Sequence, residues 1–268
     1  MIDYINVNTY EDVADYFIIP KENKLFTADF LKKGGIIFAK TDFIDYLFDN
    51  LRFSTHKYIL ITNHSDYPID FNRFSKKPPC IKKWFAINVD FKHSDLIPIP
   101  LGLYASRGFT KNVYIKFDID WFLENIERLR NNSKNEIELY CNWAKTNISR
   151  NNIINKLKDN NIKYFWESGL TYEDYCESMS KYKFIVSPPG NGIDCFRTYE
   201  ALYFGCIPIV IKHHIYNNWK ELPIIQVNDY SEVTYDLLYS YLNKEYNYEK
   251  LYMSYWGKLI KETFKNYE

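Results

Sequence analysis

The densest run of chemistry-bearing residues lies between Lys183 and Val210. There an apolar stretch ends in Ser187-Pro188-Pro189-Gly190-Asn191-Gly192, and a short segment carrying Arg197 and Glu200 leads into a second apolar stretch. Read as strand, Gly/Pro loop, helix and strand, this segment makes an anion site: the unsatisfied N–H groups of the helix start point into the loop, and the helix dipole adds about half a positive charge there. Asp194 is a suitable N-cap. Arg197, in the first turn, can grip phosphate oxygens with its planar fork, and Glu200, three residues on along the same face, can accept two hydrogen bonds from a ribose diol. A diphosphate would be welcome in such a loop. The competing reading is an intrahelical Arg–Glu pair, worth about 0.2–0.5 kcal/mol, and Gly190, Asn191 and Gly192 by themselves signal only a turn.

A second polar set, Asn142, Thr146, Asn147 and Arg150, follows another apolar run, where a doubly wound sheet gathers ligands at the carboxyl ends of its strands. Arg150 would add a second phosphate contact, unless it is a solvated first-turn arginine. In the first half, the run 58–62 ends abruptly in Asn63-His64-Ser65-Asp66, a polar strand end that could equally be a turn or helix cap. Two pairs invite a metal. Asp118-Ile119-Asp120 has Asp-x-Asp spacing, but these acids open a helix, where capping and dipole favour carboxylates. His213-His214 lacks a third ligand, and adjacent imidazoles at a strand end are expected to point apart. No metal is expected. Tyr216, Trp219 and Tyr230 either line a donor pocket or pack in a core.

The elements that must position these residues read as α/β throughout. The 268 residues, 46% hydrophobic and 25% charged, suffice for two small cores with little disorder. Strands are predicted over 36–39, 58–62, 96–101, 137–140, 162–165, 184–186, 207–211 and 224–227. Helices are predicted over 42–51, 120–130, 150–159, 172–179 and 197–204, with two further helical stretches, 232–242 and 248–264. The alternation implies parallel sheets. Prolines in 96–101 put that strand near a sheet edge or beside a loop. The polar run 131–135 is the only convincing linker, giving domains 1–131 and 132–268.

Lys plus Arg and Asp plus Glu both total 34, so no global field draws the chain to nucleic acid. Aromatic residues reach 19%, which suits sugar rings but also an A/T-rich coding bias, so it decides little. Five scattered cysteines without a Cys-x-x-Cys pair fit a reduced compartment. With no signal peptide or membrane anchor at the N-terminus, a cytoplasmic protein without a membrane span is expected, peripheral association staying open.

The string from Lys183 to Val210 resembles the exostosin family through Arg197, Glu200-Ala201-Leu202 and Gly205-Cys206-Ile207-Pro208. The likeness is specific over about thirty residues and weak across the rest of the second half. The first half looks like shorter microbial and viral relatives through Asn63-His64-Ser65-Asp66, Lys83-Trp84-Phe85-Ala86-Ile87-Asn88 and Ile97-Pro98-Ile99-Pro100-Leu101-Gly102. The resemblance implies a GT-B fold: two Rossmann-like domains facing across a cleft, with C-terminal helices packing back on the N-domain. It also implies inverting, metal-independent transfer of a sugar from a nucleotide-sugar donor, held by the C-terminal domain without any further cofactor, to a glycan or other hydroxyl acceptor on the N-terminal side. Such transfer needs a base for the acceptor proton. The candidates are His64 and Asp66, Asp66 slightly preferred. The missing anchor departs from the animal and plant enzymes and puts Golgi-type substrates in doubt. A nucleotide-sugar epimerase and a non-catalytic glycan-binding module are the alternatives.

Overall fold

Apolar runs suited to burial on both faces, alternating with amphipathic stretches, favour parallel strands joined by crossovers. The computed structural model has that form, and it describes every residue except 1, 2, 7, 19–30, 32, 105–118 and 145. The chain makes two compact units, Met1–Leu101 with Tyr252–Glu268, and Gly102–Leu251. Each carries a five-stranded parallel sheet.

The first unit contains β1 (Tyr16–Ile18), β2 (Gly35–Lys40), α1 (Ile44–Leu51), β3 (Tyr58–Asn63), α2 (Phe71–Ser75), β4 (Ile81–Ala86) and β5 (Leu96–Pro98). Its strands run in sequential order, β1-β2-β3-β4-β5. β3 is central and buried at all six positions, as its unbroken apolar run requires. β5, with its proline, is an edge strand, as is β1. Phe48 of α1 and Phe74 of α2 both pack on the Trp84 ring, at centroid distances of 5.4 and 6.3 Å, so the two crossovers share one face of the sheet.

The second unit contains α3 (Ile119–Arg130), β6 (Asn135–Cys141), α4 (Ile153–Asp159), β7 (Tyr164–Trp166), α5 (Tyr172–Met179), β8 (Tyr182–Val186), α6 (Phe196–Tyr203), β9 (Ile207–Ile211), β10 (Ile225–Val227) and α7 (Tyr235–Tyr239). The sheet order is β10-β9-β8-β6-β7. Leu139, Cys141, Phe184, Val186, Ile207 and Ile209 build one core with Ile153 and Leu157 of α4 and Leu238 of α7. From β6 the chain steps outward to β7, then returns to the other side of β6 for β8 and continues to β10. The strand order therefore reverses between β6 and β8, the position at which doubly wound sheets open a crevice beyond their carboxyl ends.

The final helix, α8 (Met253–Lys265), goes back to the first unit and packs against β2 and β3. Asp3 receives it: its backbone carbonyl accepts from Met253 N at 2.7 Å, and its carboxylate takes the Ser254 N–H at 2.6 Å and the Ser254 hydroxyl at 2.9 Å. The sequence reading divided the chain after residue 131. In the two compact units α3 instead goes with the second, where Phe122 packs on Phe204 (5.4 Å) and Arg130 Nε donates to the Tyr203 carbonyl (2.9 Å). The polar run 131–135 is the turn from α3 into β6. No helix among the described residues is long and apolar enough to cross a membrane, and all five cysteines are free.

Candidate functional site

The loops after β6 and β8 both leave the sheet at the reversal point, and side chains stitch them together. Asn147 Nδ2 donates to the Gly190 carbonyl at 2.6 Å, while its Oδ1 accepts from Ser149 N at 2.9 Å and caps the short turn Ile148–Arg150. Arg150 spans both loops. Its Nε donates to the Pro189 carbonyl (2.8 Å), one terminal nitrogen to the Ala144 carbonyl (2.7 Å) and Thr146 Oγ1 (2.8 Å), and the other to the Pro188 carbonyl (3.4 Å). At 8% exposure it is not a solvated first-turn arginine, and α4 begins only at Ile153. Its donors are largely spent on backbone oxygens, so what it chiefly offers a ligand is its charge.

Arg197 and Glu200 sit on α6 as expected, but they do not form an ion pair with each other. Glu200, 5% exposed, accepts from the Tyr175 hydroxyl at 2.8 Å. Arg197 reaches only the Cys195 sulfur, at 3.7 Å, and its Nε is buried with no hydrogen-bond partner among the described residues. The intrahelical pair is therefore not what these residues make. Asp194 is not the N-cap of α6: that position is Cys195, with no side-chain cap. Asp194, 4% exposed, accepts instead from Cys195 N (2.9 Å), from the Tyr199 hydroxyl (2.5 Å) and from the Tyr216 hydroxyl (3.4 Å), fixing the loop to the helix. Gly192 is buried, Gly190 half-buried and Asn191 exposed. Half-buried Asn142 donates to the Tyr140 hydroxyl at 3.3 Å, which in turn donates to Glu167 at 2.8 Å.

The electrostatics follow from this packing. Burial pushes the Glu200 carboxyl up, opposed by the Tyr175 hydrogen bond and the Arg197 charge. Burial would depress the Arg197 guanidinium, yet Cys195, Tyr175 and Glu200 together raise it, so it stays charged. Arg150 is lowered by burial and then by Arg197, the mark of two guanidinium groups sharing one low-dielectric place. The acids nearby do not neutralise them through ion pairs: Glu200 is bound by Tyr175, and Asp194 by tyrosines. A guanidinium that lacks a carboxylate ion-pair partner among the described residues suits an anion such as a phosphate.

In the first unit, His64 and Asp66 follow β3 at its carboxyl end. Asp66 is exposed. His64 adopts φ 62° and its Nε2 lies 2.9 Å from Glu11 Oε1, a partner the sequence reading did not single out. Nor did that reading single out Tyr175, whose place in the first turn of α5 gave no signal apart from its hydroxyl. Asp118 lies outside the described residues, and Asp120 is the second residue of α3. The rings of His213 and His214 do not point apart: their centroids are 4.3 Å from each other. His213 caps the turn His214–Trp219, accepting from Ile215 N at 3.4 Å. Among the described residues no three His, Cys, Asp or Glu side chains gather as metal ligands. Tyr216, Trp219 and Tyr230 are buried core residues, packed around Tyr199 and under β9.

No protein-family profile matches the sequence. The chain is similar to two glycosyltransferases. It is 28% identical over 131 residues to ribitol-5-phosphate xylosyltransferase 1 of Mus musculus, covering 44% of this chain and 26% of that protein. It is 25% identical over 172 residues to ribitol-5-phosphate xylosyltransferase 1 of Homo sapiens, covering 49% of this chain and 36% of that protein. The matched stretches thus span little more than a quarter to a third of these curated relatives.

Proposed function

We propose that the protein is a glycosyltransferase of exostosin-like, GT-B type that binds a nucleotide-sugar donor at the β6/β8 crevice of its second unit and passes the sugar to a hydroxyl acceptor. One observation carries this reading: Arg197, charged and with a buried unpartnered Nε, lies close enough to Arg150 for the two charges to interact, at the strand-order reversal of a doubly wound sheet. A nucleoside diphosphate supplies the missing anion. In transfer, negative charge grows on the leaving diphosphate as the glycosidic bond breaks, and fixed guanidinium groups stabilise that charge without reorganising. Arg197 contacts the phosphates, Arg150 holds the loop and adds charge, and Glu200, oriented by Tyr175, reads the ribose. The similarity to two proteins named as xylosyltransferases supports sugar transfer, and makes a pentosyl donor and a ribitol phosphate acceptor the first pair to try.

The test is calorimetric titration with UDP, GDP, dTDP and CMP and their sugars, with and without EDTA. Binding of one nucleotide, unchanged by EDTA and weakened at least about 100-fold in Arg197→Ala, is expected, because truncation removes a charge-assisted contact worth about 3 kcal/mol or more. Equal affinity in wild type and Arg197→Ala would remove the site. Conversion of the donor with no acceptor consumed would point to an epimerase instead.

A further inference from the structure

The first unit gathers cations at the end of its sheet opposite Asn63 and His64. Parallel pairing sets the amino ends of β2, β3 and β4 at one level, with Gly35 beside Tyr58 and Tyr58 beside Ile81, so the residues just before each strand crowd together. These are Lys33 before β2, Arg52 and Lys57 before β3, and Lys76, Lys77 and Lys82 around the start of β4. Tyr58 N donates to the Cys80 carbonyl at 2.9 Å and the Cys80 thiol to the Leu51 carbonyl at 3.4 Å, which ties the turns before β3 and β4 side by side. Arg52, Lys76 and Lys77 accordingly line one cleft of about 510 Å³, together with Asp45 and Asp49.

Most of that charge is not neutralised. Lys76 pairs with Asp45 at 3.0 Å. Lys77, Lys57 and Lys82 donate to the carbonyls of Ile81 (2.6 Å), Tyr267 (3.0 Å) and Pro79 (2.8 Å), which steer the ammonium groups and leave their charge standing. Neither these three nor Lys33 and Arg52 form an ion pair among the described residues. The acids at the same end are Asp49 in the cleft, Asp15, whose carboxylate accepts from Ile36 N at 2.9 Å, and Glu268 next to Tyr267, and the cations outnumber them. Lys plus Arg and Asp plus Glu balance over the whole chain, so this is a local field. From the same turn projects Phe53, 89% exposed, with the Arg52 guanidinium 5.8 Å from its ring centre. A lone ring standing out among cations suits a bilayer, which takes the ring below its headgroups while the cations stay at the phosphates. A single-strand nucleic-acid channel would interleave several rings with its cations.

We propose that this end of the first unit docks on an anionic lipid surface, Phe53 entering the boundary between headgroups and acyl chains while Lys33, Arg52, Lys57, Lys77 and Lys82 face the lipid phosphates. Neither signal suffices alone: one ring gives marginal binding, and a few cations are screened within about 8 Å at physiological salt. Together they make a reversible contact. The carboxyl ends of β2 and β3, at the opposite end of the same sheet, then face away from the bilayer. The proposal stands independently of what the second unit binds.

The experiment is co-sedimentation of the full chain with vesicles of phosphatidylcholine alone and of phosphatidylcholine containing about one-third phosphatidylserine, at low and at raised salt. Wild type should pellet with the anionic vesicles only, and raised salt should release it. Phe53→Ser should weaken the partition about 10-fold, the loss of one buried aromatic ring. Arg52→Glu and Lys82→Glu should each weaken it about 10-fold or more, since each removes an attraction and adds a repulsion. Lys158→Glu, on exposed α4 of the second unit, makes the same change in net charge and should leave binding as it was. All four sites lie at the surface, and thermal melting checks that each variant is folded. No binding to anionic vesicles at low salt overturns the proposal, as does equal weakening by Lys158→Glu. If Arg52→Glu and Lys82→Glu weaken binding while Phe53→Ser does not, the patch is a general anion surface and the membrane contact is wrong. Tighter capture of a single-stranded oligonucleotide than of the vesicles, lost in the same three variants, assigns the patch to nucleic acid instead.

Discussion

Glu200 shows how a single buried carboxyl ties the site to stability. Burial raises its pKa, with the Tyr175 hydroxyl and Arg197 opposing, so the folded state disfavours the ionised form relative to the unfolded chain. Its folding contribution is therefore fully present below the unfolded carboxylate value of about 4.3 and is lost as pH rises through the raised folded value. Glu200→Gln keeps an acceptor for Tyr175 without the charge. It should melt with wild type near pH ~4 and above it at pH ~8, while binding the nucleotide more weakly. Thermal scans at the two pH values decide the matter, and a variant less stable than wild type at both would mean that Glu200 is held as a structural anion. Arg197 belongs to the same trade, since its buried Nε has no hydrogen-bond partner among the described residues, a cost to folding.

At the scale of elements, α6 depends on how it ends as much as on how it begins. Gly205 takes φ 71°, its N–H donating to the Leu202 carbonyl (3.1 Å) and the Cys206 N–H to the Ala201 carbonyl (2.8 Å). This is a Schellman turn, and it sends the chain straight into β9. The glycine in Gly205-Cys206-Ile207-Pro208 is thus explained by backbone geometry. A Cβ at Gly205 would meet Arg130 Cγ at 3.5 Å, an ordinary contact, so Gly205→Ala should cost only the left-handed strain, about 1 kcal/mol. Urea unfolding measures it, and a loss above about 3 kcal/mol would show that the turn carries packing beyond its backbone conformation.

For the whole molecule, the chain's return matters most. The first unit is built from both ends of the sequence, with α8 placed on β2 and β3 and received by Asp3. Trp256, 2% exposed, anchors that helix. Trp256→Ala should destabilise the first unit by about 3–5 kcal/mol, the usual cost of emptying a large aromatic site. The check is chemical denaturation followed by near-UV dichroism. A change below about 1 kcal/mol would mean that α8 is an ornament on the unit and not part of its core.

By itself, the sequence determined the parallel α/β class and the identity of most strands, because runs such as 58–62 and 207–211 are too short and too apolar for anything but buried strands. It also placed Arg197 and Glu200 on one helix behind a Gly/Pro loop, since that spacing is local. Only the tertiary structure decided which side chains pair. Glu200 with Tyr175, Arg150 with the carbonyls of Pro188 and Pro189, Asp194 with Tyr199 and Tyr216, and Glu11 with His64 are contacts set by packing between elements, and apart from Asp194–Tyr199 they join residues more than twenty positions apart. The order of strands that puts the β6 and β8 loops side by side is likewise invisible to hydrophobic periodicity, which records that a residue is buried but not against what.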